Sequence, residues 1–317
     1  MKVATVTLNP AIDQTVRVAS LEPGHVHRAR TMLSQAGGKG INVAAFLAAS
    51  GCPVIATGFL GSENALLFER FFAERGITDA FVRLPGQTRI DIKIVDEERR
   101  QTTDINLPGL APSEEALSEL WETIEALASE CRWFVLAGTL PPAVPSSLYA
   151  TLIARLKALG RLTVLDASGE ALAQGILAGP TLVKPNRAEL EQLVGQPLAS
   201  LDEIAQAAHS LLEHDIRRVV VSLGEQGALF VEREQVLQAL PPAVQVESTV
   251  GAGDAMVAAL VLAELRALDL AATARLATAY SLARITRLDG QLPPPSVLAH
   301  YGEQVQLSPL ALLTAEG

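Results

Sequence analysis

The sequence predicts an α/β fold in which a mainly parallel, doubly covered sheet carries a small β-sheet as a lid. After residue 132, four short apolar segments are each separated from the next by a helical stretch, at 133–137, 162–166, 181–184 and 218–222. Such alternation is typical of a parallel sheet with helices on both faces. Hydrophobic residues make up 49% of the chain and aromatic residues only 4%, which favours the aliphatic core of such sheets.

The first half of the chain begins on the same plan and then interrupts it. Residues 3–8 alternate as a strand, and a helix is predicted over 38–49, after a glycine cluster. Four further short strands, punctuated by Gly and Pro, are predicted at 12–18, 25–34, 88–95 and 102–107. We expect them to form the lid, contributed by about 12–34 and 88–107, on a single domain spanning 1–317.

Charge and hydropathy exclude several classes of protein. The formal net charge of −10 gives no general attraction for nucleic acid phosphates. The most apolar stretches, 41–60 and 255–268, are interrupted by polar or turn residues, so neither predicts a membrane span. The first ten residues indicate a strand rather than an apolar leader, and Cys52 and Cys131 stand alone. We therefore expect a cytoplasmic protein without disulfides or structural zinc.

Polar residues follow four of the predicted strands. In sheets of this kind, ligands bind beyond the carboxyl ends of the strands. The residues at those ends are Gly138 and Thr139, Asp166, Lys184 to Asn186, and Ser222 to Gly224. The sequence therefore predicts a site assembled from several loops along one edge of the sheet.

The strongest local motif is the segment 248–254, which leads directly into a helix predicted over 255–268. Its letters are STVGAGD. Small residues at a helix start leave backbone N–H groups for an anion, and the helix dipole favours negative charge there. Asp254 at the rim of this anion hole has two interpretations, an N-terminal cap or a general base for phosphoryl transfer.

Two other motifs carry candidate site residues. Gly37, Gly38, Lys39 and Asn42 form a glycine loop before a helix; it is no Walker loop, because Gly follows the lysine where Ser or Thr is required. It is either an ordinary turn or a loop suited to sugar hydroxyls and a phosphate. Lys184, Asn186 and Glu189 follow a strand, where they fit nucleotide phosphates and magnesium, although Asn-x-x-Glu also predicts a capping box.

In this order and spacing, the three motifs resemble those of the ribokinase-like, phosphofructokinase-B family of sugar kinases, over nearly the whole chain. Segments 7–13 and 87–93, TLNPAID and QTRIDIK, resemble the branch that phosphorylates sugar phosphates. The resemblance implies transfer from ATP, with Mg²⁺, to a hexose phosphate, with fructose 1-phosphate as the expected acceptor. Tagatose 6-phosphate and fructose 6-phosphate are alternatives.

The resemblance also implies roles for individual residues. Asp254 would be the catalytic base, facing an anion hole formed by the N–H groups of Gly251, Ala252 and Gly253. The sugar phosphate would be bound by the following residues: Asp13 and Asn42 at the hydroxyls, Lys39 and Arg89 at the phosphate, with Gly37, Gly38, Thr139 and Asp254. The nucleotide would contact a second set: Lys184, Asn186, Ser222, Gly224, Glu225, Gly227, Thr249, Gly251 and Gly253. Glu189 would organise Mg²⁺ through water.

Some of these roles have competing interpretations. Asp13 also fits a turn, and Arg89 a solvated strand position. A sugar-phosphate-binding regulator without turnover is the alternative from another functional class, although a base beside an anion hole favours an enzyme. The lid has strand edges and apolar faces that a second copy could cover, which is consistent with a homodimer.

Overall fold

The computed structural model describes residues 1–287 and 292–311. The strands are β1 (Lys2–Thr7), β2 (Ala11–Val18), β3 (Thr31–Gly37), β4 (Val54–Gly61), β5 (Thr78–Leu84), β6 (Ile90–Asp96), β7 (Gln101–Ile105), β8 (Cys131–Ala137), β9 (Leu162–Asp166), β10 (Leu182–Val183), β11 (Arg218–Ser222), β12 (Ala228–Val231), β13 (Val236–Leu240) and β14 (Gln306–Pro309). The α-helices are α1 (Lys39–Ala49), α2 (Leu66–Arg75), α3 (Glu114–Ala128), α4 (Leu148–Ala158), α5 (Gly169–Leu177), α6 (Arg187–Val194), α7 (Leu201–Ser210), α8 (Ala252–Leu265), α9 (Leu270–Ile285) and α10 (Pro295–Gln304).

The large sheet confirms the predicted fold class. Its strand order is β14-β13-β12-β11-β10-β9-β8-β1-β4-β5. The strands from β11 to β5 run parallel, and β12, β13 and β14 extend that sheet in antiparallel fashion. Because the parallel strands all end at the same edge, that edge collects the loops that bear the candidate site residues.

Helices cover both faces of this sheet. One core contains the apolar side chains of α1, α2, α8 and α9, and the other contains those of α3 to α7. Helix α8 is enclosed on all sides, since every residue from Asp254 to Ala263 is buried. A helix that is apolar all round is typical of such a buried position.

The small sheet has the order β3-β2-β6-β7. Strands β2 and β3 are antiparallel, as are β6 and β7, and the two hairpins meet through the parallel pair β2 and β6. The prediction of four short strands in a separate small sheet is confirmed, but the predicted start of the second strand is wrong. Residues 25–30 lie outside it, because the chain turns at Pro23 and Gly24 and pairs with β2 only from Thr31.

No helix of the described residues is long and apolar enough to cross a membrane.

Candidate active site

The candidate site lies beyond the carboxyl ends of the central parallel strands. Its centre joins three parts of the chain that are distant in sequence: the start of α1, the end of β9 and the first turn of α8. Asn42 Nδ2 of α1 donates to Asp254 Oδ2 at 2.8 Å. Lys39, at the start of the same helix, donates to Asp166 Oδ1 at 3.1 Å.

Asp254 does not cap its helix. The N-cap of α8 is Gly251, whose φ of 82° is left-handed and favours glycine, and no side chain caps this end. Asp254 lies in the first turn and is only 6% exposed, with its carboxylate held by Asn42. The side chain is therefore available for chemistry rather than for helix capping.

The helix start beside Asp254 retains unpaired backbone donors. Within the described part of the chain, the N–H groups of Gly251, Gly253 and Asp254 meet no backbone or side-chain acceptor. The Ala252 N–H, in contrast, donates to the Thr249 carbonyl at 3.3 Å. The anion hole predicted from the sequence can thus use Gly251 and Gly253, whereas the Ala252 N–H is already engaged in the turn.

A pair of lysines adjoins these donors. Lys184 Nζ lies 3.4 Å from Asp166 Oδ1, the atom that also accepts from Lys39. A Cβ at Gly253 would come within 3.3 Å of Lys184 Nζ, so this glycine allows the lysine to approach the helix start. Two positive charges and the unpaired N–H groups therefore face the same space, which suits a phosphoryl group.

The pKa values of the two carboxyl groups of the centre are shifted in opposite directions. Burial raises the pKa of Asp254 to about 6, and the negative charge of Asp166 adds to this effect. Burial acts on Asp166 in the same direction, but Lys184 and Lys39 outweigh it and hold its pKa below the ordinary value. Asp166 therefore stays ionised while Asp254 can take up a proton near neutral pH, as a general base must.

Asp13 lies where the small sheet meets the glycine loop. A Cβ at Gly37 would collide with the Asp13 carboxylate, so the glycine is required for this approach. Asp13 stands opposite Asp91 in the parallel pair of β2 and β6. Burial, together with the charge of Asp91, raises the pKa of Asp13. Asp13 lies within a strand, so its interpretation as a turn residue is wrong.

Arg89 is not solvated, in contrast to the alternative left open above. Its side chain is 15% exposed and pairs with Asp91 at 2.8 Å. It also donates to three carbonyl oxygens, those of Asn9, Pro10 and Leu107. Arg89 thus joins the small sheet to the loop that follows β1. Thr139, on the exposed loop after β8, accepts from Asn9 Nδ2 at 3.1 Å on the same side of the site.

The loops proposed for the nucleotide are neighbours. Asn186 and Ser222 form a parallel bridge, and the Ser222 N–H donates to the Pro185 carbonyl at 3.1 Å. Ser222 to Gly227 form the turn between β11 and β12, with Gly224 and Gly227 at φ values of 62° and 79°. Glu225 lies exposed within this turn.

The motif at Asn186 and Glu189 does form a capping box. Asn186 Oδ1 accepts from the Glu189 N–H, and Glu189 Oε2 accepts from the Asn186 N–H, each at 2.8 Å. This box fixes the start of α6 and leaves Glu189 Oε1 free of any partner in the described residues. The capping alternative is therefore correct, and it does not prevent the second oxygen from meeting a hydrated cation.

Sequence reasoning did not assign a role to Asp166 or Asn9. Asp166 carries the only hint available in sequence, a polar residue at the end of a predicted strand. Asn9 links the loop after β1 to Thr139 and the Leu140 carbonyl, and a Cβ at Gly109 would collide with its side chain. These contacts depend on the tertiary fold and have no local signature.

Comparison with known proteins places the chain in a family. The pfkB family of carbohydrate kinases matches residues 6–296. The chain belongs to this family. This pfkB family member is 45% identical in sequence to the 1-phosphofructokinase of Rhodobacter capsulatus, and the match covers 98% of each chain. It is 47% identical to that of Xanthomonas campestris pv. campestris, over 93% of this chain and 94% of the other.

Solved structures of pfkB family members share the fold. Phosphofructokinase-2 from Escherichia coli, in complex with substrates and products, superposes with a TM-score of 0.89 at 31% identity. The match covers 96% of this chain and 99% of that enzyme. The predicted family, the mixed α/β architecture and the assignment as a sugar kinase are thereby confirmed.

Proposed function

We propose that this pfkB family kinase transfers the γ-phosphoryl group of ATP to the 6-hydroxyl of fructose 1-phosphate, giving fructose 1,6-bisphosphate. The observation that carries the proposal is the buried Asp254, with its pKa near 6, beside unpaired N–H groups and two lysines. The acceptor is chosen because both curated relatives described above are named 1-phosphofructokinase and match nearly the whole chain. Tagatose 6-phosphate and fructose 6-phosphate are the alternative acceptors for the same machinery.

Asp254 acts as the base in this proposal. Asn42 occupies one carboxylate oxygen, Oδ2, which leaves Oδ1 for the sugar hydroxyl. As the hydroxyl oxygen bonds to the γ-phosphorus, its proton passes to Asp254 and ADP leaves with the electrons of the broken P–O bond. Because only the ionised base is active, the rate falls as the pH drops through about 6, the pKa of this carboxyl.

Charge neutralisation supplies most of the remaining stabilisation in phosphoryl transfer. Lys39 and Lys184 bring two positive charges, and the Gly251 and Gly253 N–H groups add uncharged donors. Lys39 remains charged, since Asp166 and Asp254 outweigh the effect of burial and raise its pKa. We propose that Asn186 and the turn from Ser222 to Gly227 bind the nucleotide.

The residues present fit a Mg²⁺ ion that arrives with ATP. Glu189 has one carboxylate oxygen outside its capping box, which suits a contact through water. No cluster of three or more His, Cys, Asp or Glu side chains capable of holding a metal occurs in the described residues, and a phosphate-borne ion does not require one. Bound magnesium would neutralise charge on the transferring phosphoryl group.

At the sugar, we propose that Asp13 binds a hydroxyl and that Lys39 and Arg89 hold the existing phosphate, with Thr139 at the rim. Arg89 is supported by its fixed position between the small sheet and the loop after β1. The small sheet would close over the sugar and exclude water, which otherwise competes as the acceptor.

We further propose a homodimer formed through the small sheet. Strand register places nine apolar side chains on one face of this sheet, and five of them, outside the core of the large sheet, are partly or largely exposed. These five are Val16, Met32, Ile92, Ile94 and Ile105. Met32 is 64% exposed and Ile105 is 45% exposed, so the face is incompletely covered within one chain.

The cytoplasmic location inferred from the sequence stays a prediction.

The proposal is tested by coupled ADP release with magnesium and ATP. Fructose 1-phosphate, tagatose 6-phosphate, fructose 6-phosphate and ribose are compared by kcat/KM, for the native protein and for Asp254→Asn. We expect a preference for fructose 1-phosphate and a loss of at least about a hundredfold in the variant. Preference for another sugar would retain the mechanism and replace the acceptor. No turnover with any of them would favour the regulator described above.

A further inference from the structure

One buried carboxylate joins two lysines of the site. Asp166 is 1% exposed, and its Oδ1 atom meets both Lys39 Nζ, at 3.1 Å, and Lys184 Nζ, at 3.4 Å. The first lysine belongs to the glycine loop proposed for the sugar, and the second to the loop proposed for the nucleotide. The two loops thus share a single electrostatic anchor.

The anchor is rigid because of its place in the sheet. Asp166 is the last residue of β9 and pairs with Ala137 of β8, and its carbonyl accepts from the Gly138 N–H at 3.0 Å. Lys184, by contrast, lies beyond the end of β10, and the Lys39 side chain is 41% exposed. Long side chains of this type have many rotamers, and a fixed carboxylate restricts them.

Asp166 also changes the charge that an anion meets. Two lysines alone would present two positive charges to the phosphate groups of both substrates. The carboxylate between them reduces this to one, and it does so within a buried environment where charges are weakly screened. Its second oxygen, Oδ2, is buried and has no partner among the described residues, so no other group compensates the charge from that side.

We propose that Asp166 is a positioning residue that fixes Lys39 and Lys184 at the junction of the donor and acceptor subsites and limits how strongly they bind phosphate groups. The inference rests on the proposed function for the identity of the two ligands. Binding that is too tight is unproductive, since a lysine bound as strongly to ADP as to the transition state does not accelerate transfer.

Replacing Asp166 by Asn provides the test, because Asn keeps the shape and removes the charge. We expect kcat to fall by at least about tenfold, since the lysines lose their fixed positions. We expect the dissociation constant of ADP, measured by calorimetry without turnover, to fall by about threefold or more, since the net positive charge increases. A merely structural defect would instead weaken the binding of ADP. A rise in the dissociation constant of ADP therefore overturns the proposal.

The pH profile supplies a second readout. The charged groups that act on Asp254 are Asp166 of β9, Lys39 of α1 and Lys184 after β10, while Glu189 of α6 acts on Lys39. Removing the negative charge of Asp166 should move the acid limb of kcat to lower pH, and Lys39→Gln should move it to higher pH. The second variant keeps the test open if Asp166→Asn does not fold, and an acid limb that stays in place overturns the proposal.

A matched control comes from another buried aspartate. Asp96 accepts from the Leu21 and Arg99 N–H groups at the far end of the small sheet. Asp96→Asn should leave the ADP dissociation constant and the acid limb at their native values. The native enzyme is assayed first, so a failure of the proposed function appears as absent turnover there. A failure of this inference appears only in the variants of an active enzyme.

Discussion

At the level of single residues, the site holds a carboxyl group in a buried environment, where its charged form is less favourable than in water. Asp254 is buried at the start of α8, and burial raises its pKa to about 6 from an ordinary value of 3.8. Above that pH the folded protein carries an ionised carboxylate in an environment that disfavours the charge. The role proposed for Asp254 as the base therefore has a cost in stability.

We expect Asp254→Asn to raise the free energy of unfolding at pH 8. The pKa in the folded state exceeds that in the unfolded state, so ionisation destabilises the fold by up to about 3 kcal/mol well above pH 6. The gain should therefore be complete above about pH 7 and fade as the pH falls through 6 towards 4. Denaturant unfolding at several pH values measures it.

Asp96→Asn is the comparison, and it should change the free energy of unfolding in the opposite direction. Hydrogen bonds from the Arg99 and Leu21 N–H groups hold the pKa of Asp96 below its ordinary value, so its ionised form stabilises the fold. This variant should lose stability at pH 8. If Asp254→Asn also lost stability there, the burial argument for the base would be wrong.

The sequence identified most residues of the centre, because Gly251 to Asp254 and Gly37 to Asn42 are contiguous motifs with a local physical reason. It did not reveal the role of Asp166. That role arises only when α1, β9 and the end of β10 come together, and no spacing in the chain encodes this meeting. Arg89 illustrates the same limit, since the carbonyl oxygens that it contacts lie on two separate segments, at residues 9–10 and at Leu107.

At the level of elements, the predictions were accurate where the local pattern was regular. Strands β9 and β11 begin and end where the apolar runs predicted them. Helix α8 starts at Ala252, before the predicted position 255, because Gly251 is already its N-cap, in a left-handed conformation that favours glycine. Strands β5 and β12 to β14 were not predicted. Strand β4 was not predicted either, because it is buried along its whole length and has no alternation of apolar and polar residues.

The small sheet gives a prediction about Arg89. Its guanidinium joins this sheet to the loop after β1, and the proposed function places the sugar phosphate beside it. In Arg89→Ala, we expect KM for the sugar phosphate to rise by about tenfold or more, with KM for ATP nearly unchanged. Steady-state kinetics at saturating levels of the other substrate separates the two values.

Arg83→Ala is the matched control, since Arg83 of β5 also pairs with an aspartate, Asp79, but lies outside the site. Its sugar affinity should equal that of the native enzyme. An Arg89→Ala enzyme with native sugar affinity would exclude Arg89 from the phosphate site.

At the level of the whole molecule, the proposed homodimer can be tested with two adjacent residues of β3. Met32 and Leu33 are 64% and 56% exposed, but they project from opposite faces of the small sheet. A charge on the apolar face should prevent association, because the interface would bury an unpaired carboxylate away from water. We expect Met32→Glu to be monomeric and Leu33→Glu to remain dimeric in light scattering after gel filtration.

A native protein that is monomeric at micromolar concentration would contradict the dimer. Dissociation by both variants would also contradict it, since that result would not depend on the face. The large-scale architecture was predictable because an alternation of strands and helices is compatible with few topologies. Assembly depends instead on which faces of the folded chain stay uncovered, and the strand register that defines those faces is known only from the structure.

The enclosure of α8 has a consequence for how the protein opens to solvent. Amide hydrogens exchange with heavy water only when their hydrogen bonds break, and the hydrogen-bonded amides of α8, which begin after its first turn, lie on a helix with no exposed face from which it could unwind. Their exchange should require unfolding of the whole domain, whereas every residue of β7 is exposed and its amides should exchange through local opening. The proposed base thus lies at the start of a slowly exchanging helix, whereas the sheet proposed to cover the sugar contains a rapidly exchanging strand.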